Sequence, residues 1–126
     1  MILLVLTVRA HRKKVDKMSN PCVVHCSAGV GRTGAFIALD QAIDAYKARV
    51  KVDINDVTER MRQSRMALIQ HTSQYIFVCA AARDYISGKL ELKQAKGGSV
   101  PPHRACANGG VVVVVDAQMD GNCRWM

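Results

Sequence analysis

A cysteine and an arginine lie six positions apart on either side of a glycine-rich loop in the segment Val24–Gly34, which reads VHCSAGVGRTG. A short β-branched run precedes the segment and a helical pattern follows it, so we expect a strand that turns sharply into a helix. Such a turn directs backbone N–H groups and the positive end of a helix dipole at one spot. That spot suits a dianionic phosphate held between Cys26 and Arg32.

The residue types of this loop suit nucleophilic attack on phosphorus. A free cysteine thiol has a pKa of about 8.5, and loop amides, a helix N-terminus and a guanidinium all favour its reactive thiolate form. Arg32 can bind two phosphate oxygens through parallel hydrogen bonds, which a lysine cannot copy. The same donors would stabilise negative charge on a phosphoryl group during transfer.

The neighbours of the cysteine and the arginine have supporting chemistry. Gly29, Gly31 and Gly34 let the backbone turn tightly and approach an anion closely. The Thr33 hydroxyl could cap the helix or donate to the sulfur, and His25 is expected to organise the cysteine by hydrogen bonding. The alternative interpretation is a glycine-rich turn that contains a buried cysteine.

The motif VHCSAGVGRTG resembles the active-site motif of the protein-tyrosine phosphatases, and the phosphotyrosine-specific class more than the dual-specificity class. The resemblance implies that Cys26 attacks the phosphate and that water hydrolyses the resulting phosphocysteine. It implies a catalytic role for Arg32 and supporting roles for His25 and Thr33. The implied substrate is a protein that contains phosphotyrosine, and its phosphate would bind the loop residues Ser27, Ala28, Gly29, Val30, Gly31 and Arg32.

A second segment, MRQSRMALIQHTSQYIF at 61–77, resembles the family segment that carries two glutamines four residues apart. The resemblance implies that Gln70 positions the water that attacks the phosphocysteine and that Gln74 supports it. Arg62 and Arg65 match arginines that brace the loop region in the family. By itself, Gln70 could equally be a polar surface residue that precedes a helix.

Composition limits the remaining possibilities. The chain has 126 residues, a net charge of +8 and 49% hydrophobic residues, which suits one small domain. Its basic N-terminal stretch could bind nucleic acid or acidic lipid, but no aromatic residue interleaves with the charges, so we favour a solvated helix face and expect no nucleic-acid partner. The opening MILLVL is too short to span a membrane.

Five cysteines at irregular spacing do not indicate a disulfide framework. No Cys-x-x-Cys pair suggests zinc, and we expect no metal and no cofactor. Cys22 and Cys79 lie in apolar patterns and are predicted to be core residues. Because a reactive thiolate needs a reducing compartment, we expect a cytoplasmic location, either of the whole protein or of the cytoplasmic part of a larger receptor-like protein.

Apolar spacing predicts four helices. The first is amphipathic and covers 2–17, and the second covers about 33–49 with an inner face that includes Tyr46 and Val50. Asp53 is predicted to cap the third helix. Thr72 or Ser73 is predicted to cap the fourth, which should run to Ser87 before Gly88 and point four residues inward: Ile76, Cys79, Ala80 and Tyr85.

The expected fold class is α/β: the C-terminal portion of a tyrosine-phosphatase fold, mostly helical, with one strand leading into the phosphate-binding loop. Residues 1–88 are expected to form a partial catalytic domain, and 89–126 a linker and a poorly ordered, irregular tail. Within that tail, the β-branched run 111–115 could form a strand or an aggregation-prone segment.

The family's general acid is an aspartate on a Trp-Pro-Asp loop, thirty or more residues before the cysteine. Only 25 residues precede Cys26 in this sequence, and Asp16 is the one carboxylate among them. We therefore expect a truncated phosphatase domain that lacks the acid loop. The alternatives are a catalytically impaired phosphotyrosine-binding module and a truncated product without function.

Overall fold

A computed structural model of the protein describes residues 1–15 and 21–89 and the backbone of 111–114. Within these ranges the chain is mostly helical, as predicted, with the predicted strand before the cysteine loop and a second strand in the β-branched run that starts at Val111. None of the described helices is long and apolar enough to cross a membrane. The elements are, in chain order, α1 (Ile2–Val15), β1 (Cys22–His25), α2 (Gly31–Lys47), α3 (Ile54–Ser64), α4 (Thr72–Ile86) and β2 (Val111–Val114).

Helix α2 is the centre of the fold, because it contacts α1, α3, α4 and β1. Its inner face buries Phe36, Leu39 and Ile43 in the main hydrophobic cluster. The predicted continuation of that face is wrong: Tyr46 is 43% exposed and Val50 is 61% exposed. The helix ends at Lys47 and the following loop includes Arg49 at a φ of 57°, so the chain turns away from the core before Val50.

Strand β1 alternates between the two faces of a small sheet. Cys22 and Val24 are half-buried and pack against the core, whereas Val23 and His25 are exposed. β1 pairs in parallel with β2, in a register that places Cys22 opposite Val111. The strand alternative for the β-branched run is therefore confirmed over Val111–Val114, while 90–110 and 115–126 lie outside the described residues.

The helix boundaries test the capping predictions. Asp53 caps α3 as predicted, since its side chain accepts hydrogen bonds from the backbone N–H groups of Asn55 and Asp56. Gly88 follows the end of α4 with a φ of 68°, the left-handed conformation expected of a glycine stop. Helix α1 starts as predicted and is described as far as Val15, so the last two residues of its predicted range lie outside the described residues.

The predicted N-cap of α4, Thr72 or Ser73, is one or two residues late. The observed N-cap is His71, whose backbone is extended (φ −117°, ψ 146°), and Thr72 is already helical. The predicted inward face is wrong at Ile76, which is 62% exposed, and right at Tyr85, which packs against the core. The buried residues of this helix are Gln74, Val78 and Ala82. Cys79 is half-buried rather than a full core residue.

An ion-pair cluster joins α1 to α2. The Arg9 side chain is only 14% exposed and forms ion pairs with both Asp40 and Asp44. One Arg9 Nη also donates to the Asp40 carbonyl oxygen at 2.9 Å. Hydrogen bonding from Arg9 lowers the pKa of the Asp44 carboxyl, although its partial burial opposes the shift. The prediction of a solvated basic face therefore holds for Lys13 and fails for Arg9.

Replacing Arg9 should weaken the docking of α1. We expect Arg9→Met to lower the free energy of unfolding by about 1.5–3 kcal/mol, because it removes charge-assisted hydrogen bonds and leaves half-buried Asp40 without its cation. Urea denaturation measures the change. The matched control is Arg83→Met, which removes an exposed ion pair to Asp84 and should cost less than about 0.5 kcal/mol. Equal losses in the two variants would contradict this assignment.

Candidate active site

The candidate site lies where β1 ends and α2 begins. Cys26 directly follows β1 and is 9% exposed, and four loop residues separate it from the first residue of α2, Gly31. The N-cap of α2 is Val30, which makes no side-chain capping bond, and the first turn of α2 contains no acidic residue. The positive end of the α2 dipole is therefore not neutralised by a side-chain cap or by an acidic residue of the first turn.

Arg32 closes the loop in the way that its spacing predicts. It lies in the first turn of α2, half-buried, and its Nη2 donates to Ser27 Oγ at 2.9 Å. This hydrogen bond joins the residue that follows the cysteine to the arginine, so the two arms of the loop are held together. Ser27, Ala28 and the neighbouring His25 are exposed. The structure thus brings the cysteine and the guanidinium to one loop that is open to solvent.

The environment of Cys26 lowers its pKa. Burial alone would raise the pKa of the thiol, but hydrogen bonds from the Thr33 side chain and from the backbone N–H groups of Thr33, Gly29 and Val30 outweigh burial and bring the pKa to about 7. The Thr33 hydroxyl is buried and has no oxygen or nitrogen hydrogen-bond partner among the described residues. Of the two roles predicted for Thr33, the hydroxyl does not cap α2, and donation to the sulfur stays a prediction that agrees with the lowered pKa of Cys26.

The connection between α3 and α4 packs directly on the loop. The carbonyl oxygen of Val30 accepts hydrogen bonds from two backbone N–H groups, that of Gly34 at 3.0 Å and that of Ile69 at 3.2 Å. Ile69 is buried and has a φ of 60°, a strained conformation for a β-branched residue. Arg62 holds this turn by donating to the carbonyl oxygens of Leu68 and Ile69, both at 3.0 Å.

Sequence reasoning identified Arg62 as a brace but missed Ile69. No sequence signal marks an isoleucine that adopts the left-handed region. Arg65, the second arginine predicted to support the loop, lies close to Gly29, since a Cβ added at Gly29 would be 3.3 Å from Arg65 Nη2. Gly29 itself has a φ of 69°, so this position needs glycine for its backbone conformation.

The two predicted glutamines occupy different environments. Gln70 follows the strained Ile69 and is exposed, and it makes no hydrogen bond to the cysteine loop among the described residues. Gln74 is 9% exposed, and its Oε1 accepts a hydrogen bond from the backbone N–H of His71 at 3.2 Å. Gln74 also lies against Gly31, where an added Cβ would come within 2.6 Å of Gln74 Nε2. The structure therefore connects Gln74 with the loop directly and Gln70 only through its neighbours.

Comparison with known proteins agrees with this geometry. The family model of the protein-tyrosine phosphatases matches residues 2–84, which include β1, the cysteine loop, α2, α3 and most of α4. The chain belongs to the protein-tyrosine phosphatase family. The predicted family resemblance and the partial phosphatase fold are confirmed.

Several curated relatives share this region. The chain is 44% identical to the phosphatidylinositol phosphatase PTPRQ of Rattus norvegicus over 68% of its own length and 4% of the relative's length. It is 43% identical to the receptor-type tyrosine-protein phosphatase epsilon of the same species, over 64% of this chain and 12% of the relative. It is 34% identical to the tyrosine-protein phosphatase corkscrew of Drosophila melanogaster, over 81% of this chain and 12% of the relative. The chain thus spans a small part of each.

The lowered pKa of Cys26 predicts how its alkylation depends on pH. Because the thiolate reacts, the rate at Cys26 should rise with a midpoint near pH 7 and level off above it, and about one tenth of the maximal rate should remain at pH 6. Iodoacetamide labelling followed by peptide mapping measures Cys26 separately from the half-buried Cys22 and Cys79.

The Thr33 hydroxyl should account for part of this shift. Thr33→Val keeps the side-chain shape and removes the donor, so the midpoint should move to higher pH. Thr33→Ser retains a hydroxyl and serves as the control, with a midpoint close to that of the wild type. Superimposable profiles for the valine variant and the wild type would show that the hydroxyl does not act on the sulfur.

Proposed function

We propose that this chain carries the phosphoryl-transfer centre of a protein-tyrosine phosphatase, with Cys26 as the nucleophile and Arg32 as the phosphate-binding donor. The single observation that carries the proposal is the loop itself. A thiol with a pKa of about 7 lies below the uncapped N-terminus of α2, and the Arg32 guanidinium is held against the same loop. This arrangement suits a dianionic phosphate and a nucleophile that is ionised at neutral pH.

In the first proposed step, the Cys26 thiolate attacks the phosphorus of a phosphate ester. A sulfur–phosphorus bond forms, the bond from phosphorus to the leaving oxygen breaks, and that oxygen takes a proton from an acid or from water. The loop N–H groups and Arg32 stabilise the charge on the three remaining phosphoryl oxygens. The Ser27–Arg32 hydrogen bond keeps the guanidinium close to the loop before substrate arrives.

In the second proposed step, water hydrolyses the phosphocysteine. The water oxygen bonds to phosphorus, the sulfur–phosphorus bond breaks, and Cys26 leaves as a thiolate while the water proton passes to solvent. Thiolate departure is favoured by the hydrogen bonds that lower the Cys26 pKa. Gln70 is proposed to orient the water, since it follows the turn that Val30 and Arg62 fix against the loop.

The proposed substrate is a protein that contains phosphotyrosine, because the family match and the curated tyrosine-protein phosphatases among the relatives support it. The proposed compartment is the cytoplasm, or the cytoplasmic side of a larger receptor-like protein, since Cys26 must stay reduced. A second candidate is a phosphoinositide, favoured by the 44% identity to a relative named as a phosphatidylinositol phosphatase. Both substrates present a phosphate monoester, so the same loop chemistry would serve either.

The rate at which this chain hydrolyses a phosphate ester should depend on how much its leaving group needs a general acid. The 126 residues contain no Trp-Pro-Asp triplet, and general acid catalysis typically contributes about 10²–10⁴-fold. We therefore expect this chain to hydrolyse an aryl phosphate with a good leaving group faster than a phosphotyrosine peptide or a phosphoinositide in mixed micelles. Release of inorganic phosphate is the common measurement for all three.

Activity should depend on the loop. We expect Cys26→Ser to abolish turnover and Arg32→Lys to lower it about 100-fold, because lysine cannot replace the bidentate guanidinium. Cys79→Ser, a substitution of the same type on α4, is the control and should retain wild-type activity. Saturable binding of the peptide without turnover would instead support a binding module. Absence of both binding and cooperative unfolding would support a product without independent function.

A further inference from the structure

The side chain of Gln74 lies between the cysteine loop and the turn that contains Gln70, the two segments that the proposed reaction uses. At one end, its amide lies against Gly31, the residue that precedes Arg32. At the other end, its Oε1 accepts the backbone N–H of His71, the residue that follows Gln70. Gln74 is 9% exposed, so packing restricts the position of its side chain. The buried amide of Gln74 therefore lies against a sequence neighbour of Arg32, the proposed phosphate-binding residue. It also accepts a hydrogen bond from a sequence neighbour of Gln70, the proposed water-orienting residue.

Gly31 makes this approach possible because it has no Cβ. A Cβ at this position would lie 2.6 Å from Gln74 Nε2, 2.9 Å from its Oε1 and 3.2 Å from its Cδ, closer than ordinary van der Waals contact. All three nearest atoms belong to one side chain. The space requirement at Gly31 is therefore set by Gln74.

Gly34 faces a different obstacle. An added Cβ there would lie 2.4 Å from the backbone nitrogen of Ile69 and 3.1 Å from the carbonyl carbon of Leu68. Truncating a side chain elsewhere cannot remove these backbone atoms. Gly34 is therefore the control for Gly31. Truncating Gln74 can relieve the clash of an alanine at Gly31, but no second substitution can relieve the clash of an alanine at Gly34 with the backbone.

We propose that Gln74 is a positioning residue that sets the separation between the cysteine loop and Gln70 through its contact with Gly31. This inference rests on the proposed function, and it assigns Gln74 to the second step. Attack by Cys26 uses only the loop, Arg32 and the substrate. Hydrolysis also needs Gln70, which lies on the opposite side of the Gln74 contact, so a changed separation slows hydrolysis and spares formation of the phosphocysteine.

The experiment measures the amount of phosphocysteine during turnover of a radiolabelled aryl phosphate with a good leaving group, after rapid acid quenching. Slower hydrolysis raises the trapped fraction, whereas slower attack lowers it. We expect both Gln74→Ala and Gly31→Ala to raise the trapped fraction and to lower steady-state turnover about 10–100-fold, the size expected for a misplaced group. A variant that merely loosens the loop would lose activity without accumulating phosphocysteine.

Combining the substitutions tests the contact itself. In the Gln74→Ala background, Gly31→Ala should change neither the trapped fraction nor the urea midpoint, because the side chain that it meets is gone. Gly34→Ala should remain as destabilising in that background as in the wild type. Gln63→Ala removes an exposed glutamine of α3 and should leave activity unchanged.

The outcomes separate the two proposals. A wild-type chain without Cys26-dependent turnover would overturn the proposed function and the role of Gln74 together. Wild-type turnover with an unchanged or lower trapped fraction in Gln74→Ala would overturn only the positioning role. Equal effects of Gly31→Ala in both backgrounds would show that Gln74 does not set the space at Gly31.

Discussion

The carbonyl oxygen of Val30 is the point on which the rest of the site depends. It accepts one hydrogen bond from within its own helix, from Gly34, and one from the distant turn at Ile69. The second bond forms only because Gly34 has no side chain at the place where the backbone of Ile69 approaches. The Val30 carbonyl oxygen thus accepts the first hydrogen bond of α2, at the point where the cysteine loop ends. It also holds the connection between α3 and α4 against the loop and the helix.

The strained backbone of Ile69 shows how strongly its surroundings hold the connection between α3 and α4 against the cysteine loop. A β-branched residue in the left-handed region costs roughly 1–3 kcal/mol and persists only when its surroundings hold it there. Those surroundings are the Val30 acceptor on its amide, the Arg62 guanidinium on its carbonyl and a fully buried side chain. The result is a rigid turn immediately before Gln70, which favours a preorganised site over one that forms around its ligand.

Hydrogen-bond donors held in fixed positions also control the ionisation of Cys26. Burial disfavours a thiolate at Cys26, yet the pKa falls because the donors around it are already in place. Thr33 contributes a side-chain donor, and Gly29 and Val30 contribute backbone donors that the tight loop directs inward. The donors that stabilise the thiolate are those of a phosphate-binding loop, so activation of the nucleophile and recognition of an anion arise from one backbone conformation.

The sequence by itself determined what depends on neighbouring residues: the strand, loop and helix around Cys26, the closing arginine, the Asp53 cap, the glycine stop at Gly88 and the family. The tertiary structure decided the rest, including the ion pairs of Arg9, the conformation of Ile69 and the Gln74–Gly31 contact. The physical reason is the range of the interactions. Caps and loops close within a few residues, whereas the Arg9, Ile69 and Gln74 contacts join segments more than 30 positions apart, and no local pattern indicates which distant backbone or side chain will fill the space.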